Sequence, residues 1–352
     1  MSDARWPVAV LGATGAVGQT FVRLLAGHPW FRLAEVAASE RSAGRPYAEA
    51  AHWLEGTMPA ETAALEVLPC DPFDVRSRIV FSALDASVAG DVEAAFARAG
   101  AFVFSNAKNY RMDADVPLVT AEVNASHLAV LDAQRANRGW PGAIITNANC
   151  AAIAAILPLC ALHQAFGLRN VFVFTMQAVS GAGYPGVASL DILGNVIPFI
   201  GGEEPKIEQE LPKMLGTIVD GRIEPAPFGV SAHANRVAVE NGHTVCMTVE
   251  LESRASADDC ARALAEWEGD PSARGLPSSP DRLIIVDPRA DRPQPRRDVA
   301  SGNGMTVTVG RVRSDPLFDI RLVALSHNTI RGAAGASLLN AELLSERGAF
   351  AT

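Results

Sequence analysis

The sequence predicts an α/β protein in two parts: a doubly wound parallel sheet over roughly residues 5–148, then a second α+β domain with a mostly antiparallel sheet over roughly 149–326. Three observations carry this prediction. A glycine-rich turn, "GATGAVG" from Gly12, lies between an apolar strand and a helix. Short apolar strands alternate with helical stretches as far as Thr146, the signature of parallel pairing through crossovers. Beyond Cys150 the strands become longer and more alternating, as in a sheet with one covered face. A chain of 352 residues also exceeds what one ordinary core organises.

In chain order, "PVAVLG" reads as the first strand, and "QTFVRLLAGH" puts Phe21, Leu24 and Leu25 on one helical face. "FRLAEVAAS" is the second strand. "RIVFSAL" and "AFVFSNA" flank the helical "AGDVEAAFARAG", and "GAIIT" closes the first sheet. "AAIAAILPLCALHQAFG" reads as helix despite Pro158. "NVFVFTMQAVS", "GHTVCMTVELES", "RLIIVD", "MTVTVGRVR" and "LFDIRLVALSH" are strands, with the helical "ADDCARALAEWEG" among them. The Pro- and Arg-rich "PRADRPQPRRDVASGNG" is expected to be a solvated loop. "NTIRGAAGASLLNAELLSER" is expected to be a helix packed back on the first domain, which then comprises 1–148 completed by 327–352.

Composition narrows the function classes. Hydrophobic residues make up 49% and charged residues 20%, which describes a globular chain. A net charge of −9 argues against a nucleic-acid surface. No apolar run approaches the roughly 18 residues a membrane helix needs. The N-terminus runs straight into a strand without a secretory segment. The five cysteines, at 70, 150, 160, 246 and 260, include no CxxC pair, which argues against a disulfide framework or a zinc site and for a reducing cytoplasm.

Gly12, Gly15 and Gly18, with Thr14, Ala16 and Val17 between them, suit a pyrophosphate: small residues allow close backbone approach, and a helix N-terminus offers free N–H groups. The strand–turn–helix context makes this a Rossmann-like nucleotide site. Where the second strand ends, "AASERSAG" offers Ser39, Arg41 and Ser42 to a 2′-phosphate, favouring NADP over NAD, although Glu40 opposes it.

Cys150 follows Asn149 at the start of a predicted helix, where the dipole is expected to lower a thiol pKa and backbone N–H groups to serve an oxyanion. Buried free cysteine is also common, so position alone leaves both readings open. A thiol nucleophile needs a proton acceptor. Among seven histidines, His243 follows the turn "VENG" and begins a strand, where it is expected at a sheet edge facing a cleft. Arg236, seven residues earlier, is the residue type for bidentate capture of a carboxylate. "GGEEPKIEQE" opens a helix with paired acids and Lys206; acids there also fit a capped, solvated first turn.

Together, "GATGAVGQ", "ASERSAG", "SNAKNYRM", "TNANC", "QAVSGAGYPG", "NVIPFIGGEEPKIEQE", "NRVAVENGHT" and "HNTIRGAAGASLLNAE" resemble the aspartate-semialdehyde dehydrogenases, in order and over essentially the whole chain, and the archaeal and fungal branch most closely. The resemblance implies a cytoplasmic homodimer or homotetramer in amino-acid biosynthesis. It would use NADPH, no metal and a Cys150 thioester to reduce L-aspartyl 4-phosphate to L-aspartate 4-semialdehyde. It implies Cys150 as nucleophile, His243 as acid/base and Gln177 as the residue orienting substrate at the thiol. Arg236 would bind the substrate α-carboxylate and Glu204 its amino group, while Lys206, Arg111 and Asn106 would hold phosphate. Ser180, Gly181 and Gly183 would line the nicotinamide pocket, and Asn328 would join the cofactor contacts. The family's usual Asn-Pro-Asn-Cys-Thr/Ser is here Asn-Ala-Asn-Cys-Ala, and its Val-Pro-Val before the histidine is Val-Ala-Val. Losing two prolines is expected to loosen two turns. Two other readings stand beside this one: a malonyl-CoA reductase using the same thiol, and a non-catalytic NADP-binding scaffold.

Overall fold

The computed structural model of the protein describes residues 5–351, so the predicted domain ends at 1 and 352 lie outside the described residues. Six strands, β1 (Trp6–Leu11), β2 (Phe31–Ala38), β3 (Val67–Pro69), β4 (Ile79–Ser82), β5 (Phe102–Ser105) and β6 (Ala143–Thr146), form one sheet in the order β3-β2-β1-β4-β5-β6. Every pairing in it is parallel. Its order reverses between β1 and β4, which is where such sheets open a ligand crevice at their carboxyl ends. The helix Ala16–Leu25 follows β1 as predicted, with Phe21, Val22 and Leu25 buried.

After β7 (Leu168–Gln177) comes a two-stranded ribbon of β8 (Thr217–Val219) and β9 (Arg222–Glu224). The remaining strands are β10 (Gly229–Arg236), β11 (His243–Leu251), β12 (Ile284–Asp287), β13 (Val307–Ser314) and β14 (Ile320–Ser326). The second sheet has the order β10-β7-β11-β14-β13-β12. Its three inner pairings are antiparallel, and the two outer ones, β10 with β7 and β12 with β13, are parallel. The parallel β10–β7 pair places Arg236 directly beside Gln177. The adjoining antiparallel strand β11 begins at that same end of the sheet.

The helix Cys150–Phe166 is the central post of the molecule. Every residue from Ala151 to Leu162 is buried, so an apolar surface all round suits its place in the core. Pro158 forfeits one helical hydrogen bond and crowds the preceding turn, together costing about 3 kcal/mol or more in a helix interior, and complete burial of its neighbours offsets that cost. The helix Gly335–Glu346 packs in the core of the first sheet through Leu338, Leu339, Leu343 and Leu344, as expected for the closing segment.

One expectation needs correction. The stretch 288–304 is not simply a solvated loop: it contains the helical turns Pro295–Asp298 and Ser301–Gly304, and Arg292 pairs with the buried Asp298. The Arg292 carbonyl also lies so close to Gly310 of β13 that a side chain there would collide with it.

Candidate active site

Three elements end at one place. The parallel sheet delivers its last strand to Thr146, and the next residues turn directly into the helix that begins with Cys150. The second sheet delivers Gln177, Arg236 and His243 from the ends of β7 and β10 and the start of β11. The helix Glu203–Met214 brings Glu203, Lys206 and Glu210 against both. His243 is fully buried on a strand flanked on both sides, so it is not at a sheet edge as the sequence suggested; it sits at a strand's end inside the sheet.

Cys150 Sγ lies 3.1 Å from His243 Nε2. The other ring nitrogen, Nδ1, accepts the Ala178 N–H at 3.1 Å. A neutral imidazole whose Nδ1 is an acceptor carries its proton on Nε2, so His243 presents a donor to the sulfur. Gly181 packs against this pair: a Cβ there would come within 2.9 Å of Arg236 Nη1 and 3.0 Å of His243 Cε1. Arg236 donates from Nη1 to the Ala178 carbonyl at 2.7 Å, which fixes its direction and leaves its other donors for a ligand.

The thiol is not depressed, contrary to the helix-start expectation. Burial pushes Cys150 up to about 12, and Glu203 adds to the shift; Arg111, Arg236 and Lys206 oppose it without prevailing. Burial pushes His243 down to about 3, with Arg236 and His327 helping and Glu203 opposing. The resting pair is therefore a neutral thiol beside a neutral imidazole. The expected backbone donors also narrow, because Asn149 Oδ1 already accepts the N–H groups of Ala151 and Ala152, at 2.9 and 3.1 Å.

The acid beside the thiol is Glu203, not Glu204. Glu203 Oε1 accepts from Asn149 Nδ2 at 2.7 Å, and Oε2 accepts from Lys206 Nζ at 3.1 Å. Burial alone would raise its carboxyl, but Lys206 and hydrogen bonds from Asn149, Lys206 and Gln177 hold it below the usual range. Glu204 instead accepts the Ala234 N–H of β10 at 3.0 Å. Gln177 is buried and reaches Glu203 and Thr175. Arg111 is buried, with Nη1 on Glu210 at 2.9 Å and Nη2 on the Asn106 carbonyl at 2.7 Å; its Nε has no partner among the described residues. Asn106 accepts from Asn147 Nδ2 at 3.1 Å, two residues before the thiol's cap.

Sequence reasoning missed three supports. Asn149 caps the thiol's helix, and its own N–H donates to Glu210 at 2.5 Å. Glu210 thereby ties Arg111 to the thiol's turn; its spacing of seven from Glu203 on one helix was the available signal. Gly332 lies in the five-residue π-helix Ile330–Ala334, where a Cβ would fall 2.7 Å from Cys150 Cβ. Gly332→Val is expected to displace the thiol and lower kcat about 100-fold with cofactor binding retained, since a misplacement of about 1 Å costs that much; steady-state kinetics beside a cofactor titration checks it. Ala148 and Ala151 are fully buried in the central core. Asn149, Glu203 and Glu210 hold this turn in the absence of a proline.

The glycine turn fits a dinucleotide. Gly12 has φ +71°, and a Cβ there would meet the Ala83 carbonyl at 2.6 Å, so the turn is pressed against the end of β4 at the switch point. Gly15 precedes the helix, whose start has neither a side-chain cap nor an acid in its first turn, and Thr14, Ala16 and Val17 complete the cradle. Ser39 and Arg41 are exposed just beyond β2, with Ser42 beside them. Across the cleft, Asn328 donates to Ser180 Oγ at 2.8 Å and accepts the Gly242 N–H at 2.8 Å, joining the Ser180–Gly183 loop to the turn before His243.

Two family models match the chain in succession: the semialdehyde dehydrogenase NAD binding domain over residues 7–131 and the semialdehyde dehydrogenase dimerisation domain over 159–331. The aspartate-semialdehyde dehydrogenase of Archaeoglobus fulgidus is 50% identical over 97% of this chain and 98% of its own length. That of Schizosaccharomyces pombe is 48% identical, again over 97% and 98%. The crystal structure of the Candida albicans enzyme with NADP superposes with a TM-score of 0.90 at 43% identity, covering 98% of this chain and 99% of that one. With domains, motifs and structure agreeing over nearly its full length, the chain belongs to the aspartate-semialdehyde dehydrogenase family.

Proposed function

We propose that the protein catalyses the NADPH-dependent reductive dephosphorylation of L-aspartyl 4-phosphate to L-aspartate 4-semialdehyde, and its reverse, through a thioester on Cys150. The observation that carries this reading is the Cys150 Sγ–His243 Nε2 approach of 3.1 Å, set among two arginines, a lysine and a buried glutamate. The α-carboxylate is assigned to Arg236, and the ammonium to Glu203 in place of the expected Glu204. Phosphate is assigned to Lys206 and to Arg111, whose Nε is a spare buried donor; Asn106 holds the Arg111 side chain through its carbonyl. Gln177 orients the acyl group at the sulfur.

In acylation the sulfur attacks the acyl carbon, the S–C bond forms and the C–O bond to phosphate breaks. The thiol proton leaves on the departing phosphate, so the balance closes without an imidazolium. The oxyanion is met by His243 Nε2–H and by the Cys150 N–H, the backbone donor that Asn149 does not occupy. NADPH, held by the Gly12–Val17 turn, Ser39, Arg41, Ser42 and the Ser180–Gly183 loop with Asn328, supplies the reducing equivalent when bound. When the thiohemiacetal oxyanion collapses, the sulfur departs as a thiolate hydrogen-bonded by the His243 N–H, and a proton taken up from solvent restores the neutral thiol, replacing the one lost with phosphate.

The same reading divides the chain into 1–148 with 327–352 and 149–326, and places it in the cytoplasm, in amino-acid biosynthesis, as a homodimer or homotetramer. Supporting this, no helix among the described residues is long and apolar enough to cross a membrane, and the second family model is a dimerisation domain. The experiment is a paired assay. NADPH formation that requires both L-aspartate 4-semialdehyde and phosphate is expected. Turnover with malonate semialdehyde and coenzyme A instead, or none with either pair, overturns the proposal.

A further inference from the structure

Lys213 is an unusual lysine. It sits on the helix Glu203–Met214 seven residues after Lys206 and three after Glu210, and it is only 2% exposed. Its Nζ donates to three backbone carbonyls, those of Arg111 at 2.5 Å, Asp113 at 2.7 Å and Val116 at 2.9 Å. The loop that supplies them is curled by bonds from Asp113 N to the Tyr110 carbonyl and from Val116 N to the Asp113 carbonyl. An ammonium has three donors and no acceptor, so it matches three converging carbonyls completely; a neutral amine has one donor fewer and turns a lone pair toward oxygen.

We propose that Lys213 is a positioning residue for the phosphate end of the active site, its ammonium closing the 111–116 loop so that the Arg111 guanidinium is aimed at the phosphate. This rests on the assignment of Arg111 to phosphate made above. Two turns of one helix thus grip both ends of the arginine: Glu210 holds its guanidinium, and Lys213 holds its backbone. A surface lysine paired with an acid would leave this loop to solvent.

The charged surroundings give the clamp a pH signature. Burial pushes the ammonium down to about 8, against Asp113, Glu210 and Asp115, which favour its charge. Arg138 pairs with both aspartates, and His127 packs nearby with its own ring held neutral by burial. Arg111 itself adds a positive charge at the loop's start. The charged, clamping form therefore prevails below about 8 and is lost above it. Inorganic phosphate completes its second ionisation between about pH 7 and 8 and so only gains negative charge across the range, which works against the expected weakening and does not mimic it.

The test is calorimetric binding of inorganic phosphate to the full chain from pH 7 to 9.5, beside steady-state kinetics. Wild type is expected to lose about tenfold in phosphate affinity as pH passes 8, following the population of the ammonium. Lys213→Met is expected to bind phosphate about tenfold more weakly at pH 7, to show no further loss above pH 8, and to keep kcat at saturating phosphate within about threefold. Lys213→Gln, which retains two donors, is expected to fall between them and serves if the Met variant does not fold. Parallel pH profiles in wild type and a folded variant, or unchanged phosphate affinity in the variant, overturn the inference. A wild type that binds phosphate with no weakening above pH 8 also overturns it. A wild type that binds no phosphate at any pH overturns the Arg111 assignment beneath it.

Discussion

Replacing Cys150 by alanine is expected to lower kcat by at least about 10⁴-fold while leaving NADP binding intact, because it removes the sulfur proposed to carry the acyl group between phosphate and reductant. Cofactor binding survives because the glycine turn lies at the end of β1, with β4 and β5 between it and the β6 strand that leads to Cys150. Cys150→Ser is expected to be nearly as inactive: a hydroxyl gives up its proton far less readily than a thiol, and the imidazole beside it is weakly basic and already presents its proton. The same substitution identifies the reactive thiol chemically. Wild-type iodoacetamide labelling should include residue 150 and lose that site in the variant, beside the equally half-buried Cys70 and Cys246; Cys160 and Cys260 are buried. Because burial holds this thiol protonated up to about 12, the rate in the free enzyme should climb with pH throughout pH 6–10 without a plateau. A plateau near neutrality would show a resting thiolate–imidazolium pair and contradict the neutral pair described above.

The second large effect is expected at His243. His243→Ala should cost about 10³-fold in kcat, the loss of one preorganised donor to an oxyanion together with the leaving thiolate's partner. His243→Gln should recover part of that loss, since an amide can present N–H where Nε2–H stood, whereas a residue acting purely as a proton acceptor would gain nothing from an amide. The pH profile separates the two roles. An imidazole pushed down to about 3 stays neutral across pH 5–8, so wild-type kcat should show no histidine limb there. A limb near the ordinary histidine value that vanishes in the Gln variant would make His243 a titrating base.

Much of this was legible in the chain. The strand–turn–helix at Gly12 and the alternation up to Thr146 depend on local pattern, and they fold as read. Cys150, His243, Arg236 and Gln177 converge because each stands at an element's end; the strand that ends at Arg236 was not among those the pattern marked, and the residue stood out by its type alone. What escaped depended on facts that no local window contains. Which of two adjacent acids faces the thiol is a matter of helix phase, set by the left-handed Gly202 at the cap, and it turned Glu203 inward and Glu204 toward β10. The direction of the Cys150 shift reversed because the fold, with Gly332 from far along the chain packed against its Cβ, desolvates the thiol and sets Glu203 near it; burial then outweighs the helix start. Lys213 reads as an ordinary helix lysine until the 111–116 loop is folded around it. The two alanines that replace the family's proline and hydroxyl looked like a weakness, yet both fill core space beside a turn already held by Asn149, Glu203 and Glu210.

The most direct test of the thioester on Cys150 is a single-turnover experiment with L-aspartate 4-semialdehyde and NADP in phosphate-free buffer. The account predicts a burst of one NADPH per active site that then stalls, with the aspartyl group recovered on the Cys150 peptide by mass spectrometry and turnover resuming on addition of phosphate. Steady turnover without phosphate, or a burst with no acyl group on Cys150, would contradict it.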